Sequence, residues 1–283
     1  MRKTAIVMDS TGYLTPDLLK NYDIKVVPLN VMIGSESFSE NELSIENFFV
    51  KLGQGTSTTS QPSVGAFLQV YQSLIAAGYK EVVSIHLSQK ISGTITAARM
   101  ACKLLPDVSI QVFDSGSSAL GLGLLAWAAA EWADDGLDAL AIINDLSKLK
   151  ERTGLYFIVD TLEYLQRGGR IGGAAALFGT LLKIKPILYF NPSGEIDVFE
   201  KVRTKGRAWQ RVFKELERAH SLGGSYRIAV MHVELPEEAN DIAKRLKGKY
   251  PNDEIRVFEA GPVIATHVGP GASGLSFYPL IDK

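Results

Sequence analysis

Small hydroxylated residues recur in this sequence where a short apolar run gives way to a helix-period segment. Asp9-Ser10-Thr11-Gly12, Thr59-Ser60-Gln61-Pro62-Ser63, Ser88-Gln89-Lys90-Ile91-Ser92-Gly93-Thr94 and Asp114-Ser115 all sit at such junctions. A hydroxyl both donates and accepts without carrying charge, and the first turn of a helix leaves N–H groups unpaired at the positive end of its dipole. Together they suit a carboxylate or a phosphate. Thr59 and Ser60, with Pro62 just behind them, read as a helix N-terminus. Ser92 and Thr94 flank Gly93, through which a ligand can approach the backbone. Taken singly, each cluster also reads as an ordinary cap or turn.

Basic residues supply a second chemistry. Arg167-Gly168-Gly169-Arg170-Ile171 is a glycine-permissive turn whose guanidinium groups can fork onto an oxyanion, and it reads equally as a solvated turn with glycine at a C-cap. Lys201-Val202-Arg203-Thr204-Lys205 ends a strand, where charge is ordinarily surface. His267, in Ala265-Thr266-His267-Val268-Gly269-Pro270-Gly271, can donate to an anion or take a proton, although a lone histidine is more often structural.

Several catalytic signatures fail. Gly121-Leu122-Gly123-Leu124-Leu125-Ala126 matches G-x-G-x-x-A but falls inside an apolar helical stretch, so it reads as helix packing. No G-x-x-x-x-G-K-[ST] loop and no G-x-S-x-G elbow occurs. His86, His220, His232 and His267 lack tight ligand spacing, and the single Cys102 allows neither an internal disulfide nor a multi-cysteine metal site. Three readings follow: a binding protein without its own catalytic groups; an acyl hydrolase or transferase with Ser92 as nucleophile, His267 as base and Asp9 or Asp114 to orient it; and a small-anion sensor that closes on its ligand.

The elements that must position these residues alternate. Strands are expected over Thr4 to Met8, Ile24 to Val31, Glu81 to Leu87 and Val108 to Phe113, and helices over Pro16 to Tyr22, Ile45 to Leu52, Val64 to Ala77, Gly93 to Leu105, Ser118 to Asp134 and Asp138 to Arg152. That alternation implies a parallel, helix-covered sheet whose carboxyl edge gathers the hydroxyl clusters. The second half differs: Pro186 to Phe190 and Glu195 to Val202 flank a hairpin turn at Asn191-Pro192-Ser193-Gly194, which implies a mixed sheet. A further helix is expected over Ala174 to Leu182, and strands with glycines over Val263 to Tyr278. The fold class expected is α/β in two domains, residues 1–155 and 156–283.

Composition agrees. The 283 residues are 46% hydrophobic and 22% charged, enough apolar material for large cores. Thirty Lys and Arg against 31 Asp and Glu leave a formal charge of -1, with no cationic excess for a delocalised grip on nucleic acid. The opening residues are too briefly apolar for a signal peptide, and the longest apolar runs, Ala119 to Ala130 and Ile171 to Leu182, read as buried helices, so a cytoplasmic protein is expected.

In order and spacing, these clusters resemble the DegV family, whose characterised bacterial members are the fatty-acid-binding (FakB) subunits of a fatty acid kinase. The matching pieces run nearly end to end: Asp9-Ser10-Thr11, Val27-Pro28-Leu29, Thr58 to Ser63, Leu87-Ser88 with Ile91 to Thr94, Phe113-Asp114-Ser115, Arg167 to Ile171, Ile184-Lys185-Pro186, Lys201 to Thr204 and Thr266 to Gly271. The resemblance implies an acyl chain buried between the two α/β domains. It implies that Thr59 and Ser92 hold the fatty-acid carboxylate, that Ser60 and the backbone of Gly93 assist, and that His267 belongs to the same polar network. Arg170 and Arg203 match basic residues expected to serve the acyl phosphate and kinase docking. The implied protein is a carrier, with no cofactor of its own; ATP and magnesium belong to the partner kinase. An acyltransferase of phospholipid synthesis and a transient membrane-surface contact complete the implied partners, and nucleic acid is not among them. Small residues around Ala174-Ala175-Ala176-Leu177-Phe178 are candidates to wall the tunnel.

Overall fold

The structure, a computed structural model, describes residues 2–53, 55–177 and 184–280. The chain divides into two compact units, Met1–Glu151 and Arg152–Lys283.

In the first unit, β1 (Thr4–Asp9), β2 (Ile24–Val27), β6 (Glu81–His86) and β7 (Ser109–Asp114) form an all-parallel sheet in the order β2-β1-β6-β7. β1 is buried along its whole length, as a central strand covered on both faces must be. One core is built by α3 (Val64–Ala76) and α4 (Thr94–Lys103), whose Phe67, Tyr71, Leu74, Ala97, Ala98 and Ala101 pack on Ala5, Val7, Val27 and Val82. α5 (Ala119–Asp134) is apolar on nearly every side, and Leu120 to Ala130 is buried without a break. Such a helix belongs inside a fold rather than on its surface. It packs on the 3-10 turn Ser10–Gly12, where a Cβ added at Gly123 would lie 2.1 Å from the Gly12 carbonyl oxygen. The glycine motif in this helix therefore serves close packing. α1 (Pro16–Asn21), α2 (Ile45–Leu52) and α6 (Ala139–Arg152) complete the helices of this unit.

The extended run expected over Ile24 to Val31 is two strands. Pro28 cannot donate to a ladder. The chain leaves the parallel sheet after Val27 and restarts as β3 (Asn30–Ile33). β3 pairs antiparallel with β4 (Glu36–Ser39) and with β5 (Ser57–Ser60), a small sheet the apolar pattern did not reveal. Thr59 and Ser60 are thus strand residues. The cap of α3 is Ser63, whose Oγ accepts from the Ala66 N–H at 3.1 Å, and Pro62 precedes the cap.

In the second unit, a six-stranded mixed sheet runs in the order β10-β9-β8-β13-β11-β12, from β8 (Gly154–Ile158), β9 (Lys185–Phe190), β10 (Ile196–Val202), β11 (Tyr226–His232), β12 (Glu254–Glu259) and β13 (Ser273–Pro279). Only β11 and β12 are parallel; β9 and β10 form the expected hairpin. α8 (Lys205–His220) lays Ala208, Trp209, Val212 and Leu216 on this sheet, beside Ile242 and Leu246 of α9 (Pro236–Lys249). α7 (Glu163–Arg167) precedes the glycine turn. Residues expected as strand after Val263 instead form α10 (Pro262–Val268), with Pro262 at its first turn. The helix expected over Ala174 to Leu182 begins as a 3-10 turn over Gly172–Leu177, and its remainder, with Phe178, lies outside the described residues. No helix among the described residues is long and apolar enough to cross a membrane.

Replacing Gly123 by Ala is expected to destabilise the fold by about 1–3 kcal/mol, because the opposing atom is backbone and cannot swing away. Gly248→Ala, in α9 with nothing within 4 Å of the new methyl, is expected to stabilise by up to about 1 kcal/mol. Urea denaturation of both variants against the parent checks the pair.

Candidate functional site

Three of the hydroxyl junctions are stitched together at the carboxyl edge of the parallel sheet. The Ser88 N–H donates to the Ser117 carbonyl at 2.7 Å, and the Ser115 N–H donates to the His86 carbonyl at 3.0 Å. Asp9, at the end of β1, accepts from the Leu87 N–H at 2.9 Å. The loop after β6 is therefore held from both neighbouring strands. Within it, the Ser88 carbonyl accepts from Ile91 and Ser92, which curls the chain into the turn before α4. Ser92 Oγ lies 2.9 Å from Thr94 Oγ1 and accepts from the Thr94 N–H at 3.3 Å, so two hydroxyls stand side by side at the helix start.

Gln61 brings the second cluster to the first. A Cβ on Gly93 would fall 1.9 Å from Gln61 Oε1, so the end of the Gln61 side chain lies directly against this turn and brings the Thr59–Ser63 segment beside it. Thr59 is opposite Val31 in the small sheet, and Ser60 is opposite Asn30. Alternation along the strand puts the half-buried Thr59 and the exposed Ser60 on opposite faces. Ser10 helps to fix this sheet: its Oγ accepts from the Leu29 N–H at 3.0 Å and donates to the buried Glu40 carboxylate.

The second unit assembles a different group. Arg170 Nη1 donates to the Gly168 carbonyl at 2.6 Å, and Gly168 lies so close to His267 that a Cβ there would be 2.2 Å from Nδ1. Gly269 likewise faces the Tyr164 ring, and Gly271 faces Asp160. Burial, and then the nearby Arg170 charge, push the His267 pKa down to about 4, so its imidazole is neutral near pH 7. Lys205 ties the end of β10 to this glycine path, donating to the Gly271 carbonyl at 3.2 Å and pairing with Glu238 at 3.0 Å. Glu238 also accepts from Trp209 Nε1 and Ser273 Oγ.

Arg203 stands apart from that cluster. It is exposed and lines an open groove of about 410 Å³ between β10 and α8, together with Lys201, Arg207 and Lys214. Arg211, in the same groove, is paired with Glu200 and Glu215.

Sequence reasoning missed Gln61, His86, Tyr164, Lys205 and Glu238 as positioning groups. Gln61 and Lys205 lay inside segments already singled out; the others carried no local signal, since tertiary packing alone brings them in. Asp9, considered as an orienting acid for His267, has both carboxylate oxygens committed inside the first unit, to Thr11, His86 and Leu87. Among the described residues, no group of three His, Cys, Asp or Glu is placed to hold a metal ion.

Comparison with known proteins covers the whole chain. The profile described as uncharacterised protein, DegV family, matches residues 3–280. A DegV domain-containing protein of Halalkalibacterium halodurans is 40% identical over 281 residues, covering 98% of this chain and 99% of that protein. The crystal structure of DegV, a fatty acid binding protein from Bacillus subtilis, superposes with a TM-score of 0.91 at 38% identity, covering 99% of this chain and all of that one. A fatty-acid-binding DegV family protein from Thermus thermophilus gives the same TM-score at 33% identity, again over 99% of this chain and all of the other.

The depressed His267 pKa sets a pH dependence. The unfolded chain takes up this proton near 6.5 and the folded one only near 4, so the stability this group contributes is fully present above 6.5 and is lost as pH falls to about 4. His232, also lowered by burial, acts in the same direction. His267→Gln is expected to flatten this limb in denaturation midpoints measured from pH 4 to 7. Arg170→Leu is expected to raise the His267 pKa in an NMR titration.

Proposed function

The chain belongs to the DegV family, and from that premise we propose that it binds a long-chain fatty acid and presents the carboxylate to a separate fatty acid kinase. The observation that carries the reading is the close approach of Gln61 to Gly93, which sets the Thr59 strand against the Ser92–Thr94 turn. Relatives from Bacillus subtilis and Thermus thermophilus bind fatty acids, which supports the ligand class.

The physics of such a carrier is simple. A saturated tail of about fourteen methylenes gains on the order of 11 kcal/mol gross on burial, so the tail supplies the affinity. The head is an anion and must keep hydrogen-bond partners wherever it leaves water. Ser92 and Thr59 are assigned as its hydroxyl ligands, with the Gly93 backbone at the start of α4 and Ser60 as neighbours. His267, neutral near pH 7, is assigned to the same head-group network as a donor.

Phosphorylation joins a carboxylate oxygen to the γ-phosphorus of ATP and releases ADP. ATP and magnesium sit on the kinase, so this chain is assigned no catalytic residue. The carrier then takes the acyl phosphate to an acyltransferase of phospholipid synthesis and exchanges it for free fatty acid at the membrane surface, which places its work in the cytoplasm. Arg170 and Arg203 are assigned to the phosphorylated product and to the kinase, a role the basic groove around Arg203 supports.

Organic extraction of the purified protein followed by mass spectrometry is expected to release one long-chain fatty acid per chain; an empty protein would sink the reading. Ser92→Ala removes one charge-assisted hydrogen bond and is expected to weaken fatty-acid binding roughly 10- to 100-fold. Arg203→Ala is expected to leave fatty-acid binding within about threefold, because it removes an exposed charge, while slowing phosphorylation by added kinase by about tenfold or more. Loss of fatty-acid retention in folded Arg203→Ala would overturn the docking assignment.

A further inference from the structure

We propose that Asp9 is a positioning residue for the fatty-acid head group, acting through a buried hydrogen-bond chain Tyr71–Ser84–His86–Asp9 that sets the Ser92 loop and α3 against each other. The inference rests on Ser92 holding the carboxylate.

Asp9 is fully buried and, among the described residues, no lysine or arginine pairs with it; four donors converge on it instead. Oδ1 accepts from the Thr11 N–H at 3.1 Å and from Thr11 Oγ1 at 2.6 Å, which closes the turn after β1. Oδ2 accepts from the Leu87 N–H at 2.9 Å and faces His86 Nδ1 at 3.2 Å. Leu87 is the first residue after β6, so this bond fixes where the loop carrying Ser92 departs.

The direction of the chain follows from the His86 tautomer. In the neutral ring that carries its proton on Nδ1, facing the carboxylate, Nε2 is the acceptor. It accepts from Ser84 Oγ at 2.7 Å, and Ser84 Oγ in turn accepts from the Tyr71 hydroxyl at 2.8 Å. Burial pushes the Tyr71 phenol up, which keeps it a donor. Tyr71 lies on α3, and Phe67, one turn earlier on that helix, meets the His86 ring edge-on at 5.0 Å. α3 begins just after Gln61, the residue that lies on Gly93. One chain thus spans β1, β6 and α3 and reaches the roots of both hydroxyl-bearing segments.

Asp, His and Ser in this order resemble a catalytic triad, but Ser84 and His86 are sealed from solvent and Ser84 is occupied as donor and acceptor. Nor does stability require such a chain, since apolar side chains of the same volume commonly serve a core as well or better. What hydrogen bonds add over dispersion is a fixed distance and direction. The hydroxyl partners of an anion need both.

The test compares two ligands of one tail length, palmitate and hexadecanol, by displacement of a fluorescent lipid. Asp9→Asn is expected to weaken palmitate about tenfold, as the loss of a hydrogen bond to a charged group does, and to leave hexadecanol within about twofold. A general loosening of the fold would weaken both, and equal loss or no loss overturns the proposal. If Asp9→Asn does not fold, Tyr71→Phe and His86→Asn serve. Each is expected to lower the palmitate preference by about threefold, with His86→Asn milder than His86→Leu because its amide can still donate to Asp9. An unchanged preference in both overturns the proposal. Ser92→Ala separates the two levels: if it leaves the preference intact, the head-group reading fails and the inference with it. If Ser92→Ala lowers it and Asp9→Asn does not, only the positioning role fails.

Discussion

A buried carboxylate with no lysine or arginine beside it must be satisfied by hydrogen bonds, and every donor it recruits becomes fixed in place. Asp9 is that group here, and its partners are the turn after β1 and the end of β6. Its neighbour Ser10 does the same for the small antiparallel sheet, through the Leu29 N–H and the Glu40 carboxylate. A strand end that reads locally as an unremarkable polar turn therefore sets the position of Ser92 through Leu87 and supports that of Thr59 through β3. The requirement to satisfy buried polar groups converts one carboxylate into the organiser of a surface several strands wide.

On the proposed reading, each unit supplies a different chemistry for an anionic head group. The first offers hydroxyls and backbone N–H groups, with Gly93 and Gln61 in contact to gather them. The second offers arginines and an imidazole, with Gly168, Gly269 and Gly271 clearing space for His267, Tyr164 and Asp160. In both, a side chain packs directly on a glycine, and at Gly269 and Gly271 the left-handed backbone itself favours glycine. Lys205 and Glu238 then do in the second unit what Asp9 does in the first, anchoring the glycine path of the histidine segment to the start of α8.

The sequence displayed the strands of the parallel sheet and most helices because each carries a strong apolar signal, a continuous short run in the buried β1 and a helical period in the amphipathic α8. It concealed β4 and β5, whose Glu36–Ser39 and Ser57–Ser60 contain almost no apolar residues and pair with β3. It concealed α10 as well, where Val263, Ile264 and Val268 suggested strand while Pro262 at the first turn favoured helix. The hydroxyl clusters and the histidine were visible as types at junctions, but their mutual distances were not. Ser63 rather than Thr59 caps α3, and that choice rests on a 3.1 Å contact that no spacing rule supplies.

The division of labour between hydroxyls and cations has a chemical reason on the proposed reading. A carboxylate that is to attack phosphorus needs its electron pair available. A guanidinium forked onto it would hold it with two hydrogen bonds and a full opposing charge and withdraw that density, whereas each hydroxyl gives one hydrogen bond and no opposing charge. Full positive charge becomes useful once the phosphoryl group is in place, when the head has gained oxygens and charge. Depression of the His267 pKa fits this order: protonated, the ring would be one more cation on the free acid, and kept neutral it can share a proton without claiming the anion. The groove around Arg203, open and carrying Lys201, Arg207 and Lys214, stands where charge can act on an incoming partner without entering the network that sets the head group.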